Sequence, residues 1–110
     1  SAEDADALVA AAPAGSVIAN ATGLGKDRPG SPLTDAVVFP EGADAWEFNY
    51  RGSLEFPHQA EAQASDRGLR VVDGWRYFIH GWSQVVADVF DLDLTPEIVE
   101  RLAEAAESVR

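Results

Sequence analysis

The sequence predicts an α/β fold: a parallel sheet of about three strands, flanking helices, and a helical pair at the C-terminal end. Three observations predict it. Short apolar runs at residues 16–20, 44–50 and 69–72 read as strands, each bounded by Gly, Pro or charged residues. Connections long enough to cross over separate them, and strands joined by crossovers run parallel. Finally, Trp75, Phe78, Ile79, Trp82, Val85, Val86, Val89 and Phe90 recur at threes and fours, the spacing of one long apolar helix face.

Taken in order, residues 4–12 read as the end of an amphipathic helix that Pro13-Ala14-Gly15 stops. Residues 16–20 form an almost fully apolar strand, the pattern of a strand buried on both faces. A charged loop follows, with Lys26, Asp27, Arg28 and a Pro29-Gly30 turn. Residues 33–39 are apolar but ambiguous. Residues 44–50 place Trp46, Phe48 and Tyr50 on one strand face. Pro57 suits the first turn of a helix running to about Asp66, and Gly68 suits its C-cap. Residues 69–72 make the third strand. Asp73-Gly74 turns the chain into the long helix. Thr95-Pro96 starts the last helix, with Thr as N-cap and Glu97 at the positive dipole end. The order is α, β, loop, β, α, β, α, α. With three strands and no strand before the first helix, it reads like the second half of a doubly wound domain.

Composition narrows the chemistry. The chain has 110 residues and no cysteine, so it carries no disulfide and no thiolate metal site. His58 and His80 lack a metal-binding spacing, and no metal site is expected. His58 reads as solvated, as do Asp4, Asp6, Glu100, Glu104 and Glu107 on helix faces. Nineteen acidic against eight basic residues give a net charge of −11, which repels phosphate backbones and argues against nucleic acid as a partner. No apolar run approaches the roughly 20 residues of a membrane span. The N-terminal residues lack the basic and apolar regions of a signal peptide, and a cytoplasmic location is expected.

Four landmarks then occur in a family's order. Asn20-Ala21-Thr22-Gly23-Leu24-Gly25 is similar to N-A-T-P-L-G. Trp46-Glu47-Phe48-Asn49-Tyr50 is similar to an aspartate-containing strand ending in Tyr. Gln59-Ala60 is similar to the end of L-x-Q-A. Val72-Asp73-Gly74 and the helix after it are similar to V-D-G-L-G-M-L-V-x-Q-A. Over roughly residues 4 to 105 the chain resembles the C-terminal half of the shikimate dehydrogenase family, the nucleotide-binding domain plus its returning helices.

The resemblance implies a Rossmann-like sheet and an NADP-dependent oxidoreductase. Such an enzyme interconverts a ring ketone and alcohol on a small cyclic hydroxy-acid, in aromatic amino-acid biosynthesis. Asn20, Ala21, Thr22, Phe48, Gly74 and Tyr77 would line the cofactor pocket, and the Tyr50 hydroxyl would bind substrate. The family's glutamine falls on Gly81, so Gln84 or His80 would take over that contact. Gly23 stands for Pro, Glu47 for Asp, and Lys26 where an apolar residue is common. The substrate therefore stays open between shikimate, a quinate-like acid and an amino-substituted cyclohexene acid.

No catalytic residue is expected in this chain. The family's catalytic Lys and Asp, its Gly-rich loop and the choice between NAD and NADP precede the matched region. Gly23-Leu24-Gly25 is not a phosphate loop, because no third glycine follows and no helix opens there. The expectation is a fragment or subunit, inactive alone, that completes a site with an N-terminal catalytic half or partner chain. About residues 1–73 would be the sheet portion and 74–110 the helices toward the missing domain. The rival is a non-catalytic interaction module, docking a partner or forming a homodimer through the unfinished sheet edge and the exposed part of the 75–90 helix face.

Overall fold

The computed structural model describes all 110 residues. The elements are α1 (Ala2–Ala11), β1 (Val17–Asn20), β2 (Asp44–Glu47), α2 (Glu55–Arg67), β3 (Arg70–Val72), α3 (Trp75–Phe90) and α4 (Pro96–Glu107). Their types and order are those expected. The chain forms two compact units, Ser1–Gly74 and Trp75–Arg110.

The first unit is built on a three-stranded sheet of order β1-β2-β3, parallel throughout. Its register aligns Ile18, Ala45 and Val71 in one row. Successive strand residues point to opposite faces. This row faces a core of Leu33, Val37, Phe39, Phe56 and Ala60, joined by Ala5 and Val9 of α1. Phe39 and Phe56 meet edge to face with centroids 5.8 Å apart. The opposite face carries Val17, Ala19, Trp46 and Val72, with an exposed Arg70–Asp44 ion pair beside them. Val17 is 60% exposed. The expectation that β1 is buried on both faces is therefore corrected: α1, α2 and the 31–39 segment all pack on the same side.

β2 is also shorter than expected. It ends at Glu47, so Phe48 and Tyr50 lie beyond the strand. The Asn49 N–H turns back onto the Glu47 side chain at 2.7 Å instead of continuing the ladder. The α2 boundaries follow local chemistry. Gly68 takes φ 64° at the C-cap, a conformation glycine adopts without steric cost.

Residues 33–39, ambiguous in sequence, form no strand. Side chains of α2 satisfy their backbone instead. Gln59 Nε2 donates to Leu33 O (3.3 Å) and to Asp35 Oδ1 (2.9 Å). Gln63 Nε2 donates to Val37 O (2.8 Å), and its Oε1 accepts from Phe39 N (3.1 Å). Arg67 Nε donates to Phe39 O. Asp6, expected to be merely solvated, accepts from the N–H and hydroxyl of Thr34 and so fixes the start of this segment on α1.

The second unit is a helical hairpin. α3 buries Trp75, Ile79, Ser83 and Ala87, and α4 buries Val99 and Ala103. Asp91 adopts φ 53° just past α3, and Leu92 N–H returns to Ala87 O at 2.9 Å, closing the helix end. Thr95 caps α4 by accepting from Ile98 N–H. Arg76 pairs with Glu100, and that hydrogen bond holds the Glu100 carboxyl below its usual range. Whatever stability this exposed pair adds is present above the ordinary glutamate pKa and is lost as pH falls through the depressed one.

The long apolar face is mostly uncovered within the chain. Of its eight residues only Trp75 and Ile79 are buried, and Trp82, Val85, Val86, Val89 and Phe90 are exposed. The buried stripe runs through the small residues Ser83 and Ala87. No helix is long and apolar enough to cross a membrane.

Truncating Gln63 to Ala removes a donor and an acceptor that the 37–39 backbone needs. Leaving buried backbone groups unpaired costs about 1–3 kcal/mol. Urea unfolding of the variant is expected to show a loss of that order, and an unchanged midpoint would place the segment's support elsewhere.

Candidate functional site at the carboxyl ends of the strands

In open parallel sheets ligands bind beyond the carboxyl ends of the strands. Here those ends are organised by a buried polar network. Asn20 and Glu47 are register partners on adjacent strands, so their side chains lie side by side. Asn20 Nδ2 donates to Glu47 Oε2 at 2.7 Å. Glu47 Oε1 accepts the Asn49 N–H. Glu47 is fully buried and Asn20 is 1% exposed.

The network extends into both loops. Asn20 Oδ1 accepts from the N–H (3.0 Å) and hydroxyl (2.7 Å) of Thr22. Thr22 Oγ1 accepts from Leu24 N–H. Asn49 Nδ2 donates to the carbonyls of Thr22 and Leu24, each at 3.1 Å. Both strand ends and the 22–25 loop are thus one hydrogen-bonded body.

Two glycines let backbones approach closely around it. A Cβ on Gly74 would lie 2.3 Å from Phe48 O and 2.4 Å from Asn49 O. A Cβ on Gly52, where φ is 103°, would lie 2.1 Å from Gly25 O and 2.8 Å from Lys26 Cα. Only glycine fits either place without moving backbone. Leu54, at φ 50°, donates its N–H to Gly25 O at 3.1 Å. A left-handed non-glycine residue is a local strain that the surrounding contacts must hold. Above this frame the Lys26 ammonium stands 5.7 Å from the centroid of the half-buried Tyr50 ring.

The expected site residues divide accordingly. Asn20, Ala21, Thr22, Phe48, Tyr50 and Gly74 lie together at the strand ends of the first unit. Asn20 spends both amide groups on the protein, so its side chain organises the site and leaves no free group for a ligand. Thr22 and Ala21 are exposed, and Phe48 is half-buried with its ring edge on Trp46 (4.6 Å between centroids).

Tyr77, His80 and Gln84 belong to the second unit. All three are exposed. Tyr77 borders an apolar groove of about 310 Å³ with Phe78, Gly81, Trp82 and Val85. Gln84 donates to Asp88 at 2.8 Å. A Cβ on Gly81 would meet nothing within 4 Å, so packing does not require the glycine there.

Glu47 and Asn49 were missed as site organisers. The available signal was phase: both alternate with Ala45, on the strand face that must be buried. No group of three or more His, Cys, Asp or Glu residues is placed to hold a metal ion. No family model, curated protein or solved structure matches the chain.

Replacing Glu47 by Gln tests the network. Both carboxyl oxygens accept, and a Gln amide would point an NH₂ at a donor. Asn20 cannot flip to compensate, because its Oδ1 already serves Thr22. A loss of about 1–3 kcal/mol in urea unfolding is expected for one frustrated buried group. A neutral Gln would mean that the network is not sustained in solution.

Proposed function

We propose that the chain is part of an NADP-dependent dehydrogenase that interconverts a ring ketone and alcohol on a small cyclic hydroxy-acid, as in the shikimate dehydrogenase family. The observation that carries this reading is convergence. Asn20 to Thr22, Phe48 to Tyr50 and Gly74 meet at the carboxyl ends of a one-way parallel sheet, where such folds bind ligands. The sequential order β1-β2-β3 is also that of one half of a doubly wound, Rossmann-like sheet.

The residues fit one end of a dinucleotide only. Of the residues where the resemblance puts one wall of the nicotinamide pocket, Phe48 is half-buried and Gly74 is buried against the Phe48 and Asn49 carbonyls. The phosphates find no cradle, because the 24–27 N–H groups turn inward onto Thr22 Oγ1, Arg28 O and Gly23 O. The cofactor would supply hydride chemistry. This chain would supply a wall, with Tyr50 as a substrate contact. Tyr77 and either His80 or Gln84, on the second unit, are assigned to cofactor and substrate by the resemblance alone. The acid, the base and the phosphate contacts would come from an N-terminal half or partner chain, in the cytoplasm.

Titrating NADPH against the 110-residue chain is expected to show binding no tighter than that of inorganic phosphate alone. Tight binding would show that the phosphates are held here after all. In the assembled enzyme, Tyr50→Phe is expected to lower turnover about tenfold or more, the worth of a lost substrate hydrogen bond, with cofactor affinity nearly intact. Equal loss of both would remove Tyr50 from the substrate.

A second reading, a non-catalytic interaction or homodimerisation module, is favoured by the second unit's surface. Trp82, Val85, Val86, Val89, Phe90 and Leu92 are all exposed on α3 and just past it. Contiguous apolar surface of this kind marks an interaction site. Sedimentation equilibrium decides whether a second copy covers it. A mass twice the 11.8 kDa of the chain, reverting to monomer in Trp82→Glu, supports the dimer, and a monomer at 100 μM (about the upper range of such measurements) removes it.

A further inference from the structure

We infer that the 22–28 and 50–53 loops form a binding site for a small oxyanion, a carboxylate or phosphate group, with Lys26 and Arg28 as its principal contacts. The inference does not depend on a nucleotide. Where the proposed dehydrogenase reading holds, the anion is the acid group of the substrate.

The first support is where the positive charge lies. The chain has eight basic residues against nineteen acidic ones. Three of the eight, Lys26, Arg28 and Arg51, sit on two loops at the carboxyl ends of β1 and β2. Lys26 is the only lysine. In so acidic a chain, an anion would be attracted to few other places.

The second support is that the cluster is built rather than trailing in solvent. The Gly52 backbone is locked against Gly25 and Lys26, and Leu54 N–H ties to Gly25 O. This fixes the root of the Lys26 side chain, which is only 25% exposed and rests against the Tyr50 ring. The ammonium therefore loses little freedom when it meets a ligand.

The neighbouring acids leave the cluster net positive. Asp27 takes Arg51 at 3.0 Å and reaches Lys26 at 3.5 Å. Glu55 hydrogen-bonds Ser53, and its second oxygen is buried against Gly25, away from solvent. Arg28 pairs with no carboxylate. Its carbonyl accepts the Gly25 N–H at 2.7 Å, which holds its backbone in the loop and leaves the guanidinium for a ligand.

The test is an amide chemical-shift titration of the whole chain with inorganic phosphate alone and with cyclohexanecarboxylate alone, at constant ionic strength set with chloride. Saturable shifts centred on residues 22–28 and 50–53 are expected. Lys26→Gln and Arg28→Gln should each weaken binding about tenfold, the worth of one charge-assisted hydrogen bond. Asp27→Asn should tighten it. Arg28→Gln leaves the Tyr50 contact alone, so it separates anion binding from ring packing. Saturation by phosphate only assigns a phosphate ligand, and saturation by the carboxylate only assigns an acid group. Unsaturated shifts spread over Arg67, Arg70 and Arg101, or unchanged affinity in a folded Lys26→Gln, would overturn the site. Because no nucleotide is present, failure of the dehydrogenase reading would leave this result standing.

Discussion

The first unit depends on one buried carboxyl group. Glu47 joins the end of β1 to the end of β2, and through Asn20 and Asn49 it holds the loop between them. Burying such a group costs several kcal/mol unless it is hydrogen-bonded, and no cation pairs with it here. The cost is offset by two short, well-aligned hydrogen bonds that exist only when the register is correct. A slip of one residue would send Asn20 and Glu47 to opposite faces and leave both unpaired. The network therefore specifies register as well as stabilising it, in a sheet whose strands are only three or four residues long.

The order of elements was legible because each punctuation mark had a local cause. Gly68, Thr95-Pro96 and Asp73-Gly74 act through their own backbone or side-chain chemistry, and all three do what the sequence implies. Burial was much less legible. Val17 and Trp82 have the residue type and spacing of core positions, yet both are exposed. Apolar periodicity says which face an element would bury; whether anything covers that face depends on the neighbours available. Three elements lie on one side of this sheet and none of the first unit's helices on the other. In the second unit, α4 covers a stripe of α3 one step round from the most apolar one.

The candidate site was legible in place but not in working. Asn20, Thr22, Tyr50 and Gly74 do come together, because strand ends in a parallel sheet share one edge. Their division of labour was hidden in long-range pairing. Asn20 reads as lining the cofactor cleft, and its side chain ties the strand ends together, while Glu47 looks like a conservative replacement and is the centre of the network. Lys26 stood out in sequence as the single lysine of a charged loop, and as a cation where the resemblance has an apolar residue. Its position over Tyr50 follows from a glycine 26 residues away, at Gly52, which no local pattern reveals.

The side chains of α2 that serve the 31–39 segment carry a further consequence, for length. Gln59 and Gln63 are four residues apart, one helical turn, and they reach Leu33 and Val37, also four apart. A helix advances about 6 Å over four residues, whereas an extended chain advances about twice that. The two runs stay in step only because the Thr34–Val37 turn shortens the segment, with Val37 N–H returning to Thr34 O at 3.2 Å. The segment is thus metered against a helix, residue for residue. Inserting one residue would put every later carbonyl out of phase with its glutamine, so a stretch without regular secondary structure is among the least able to change in length.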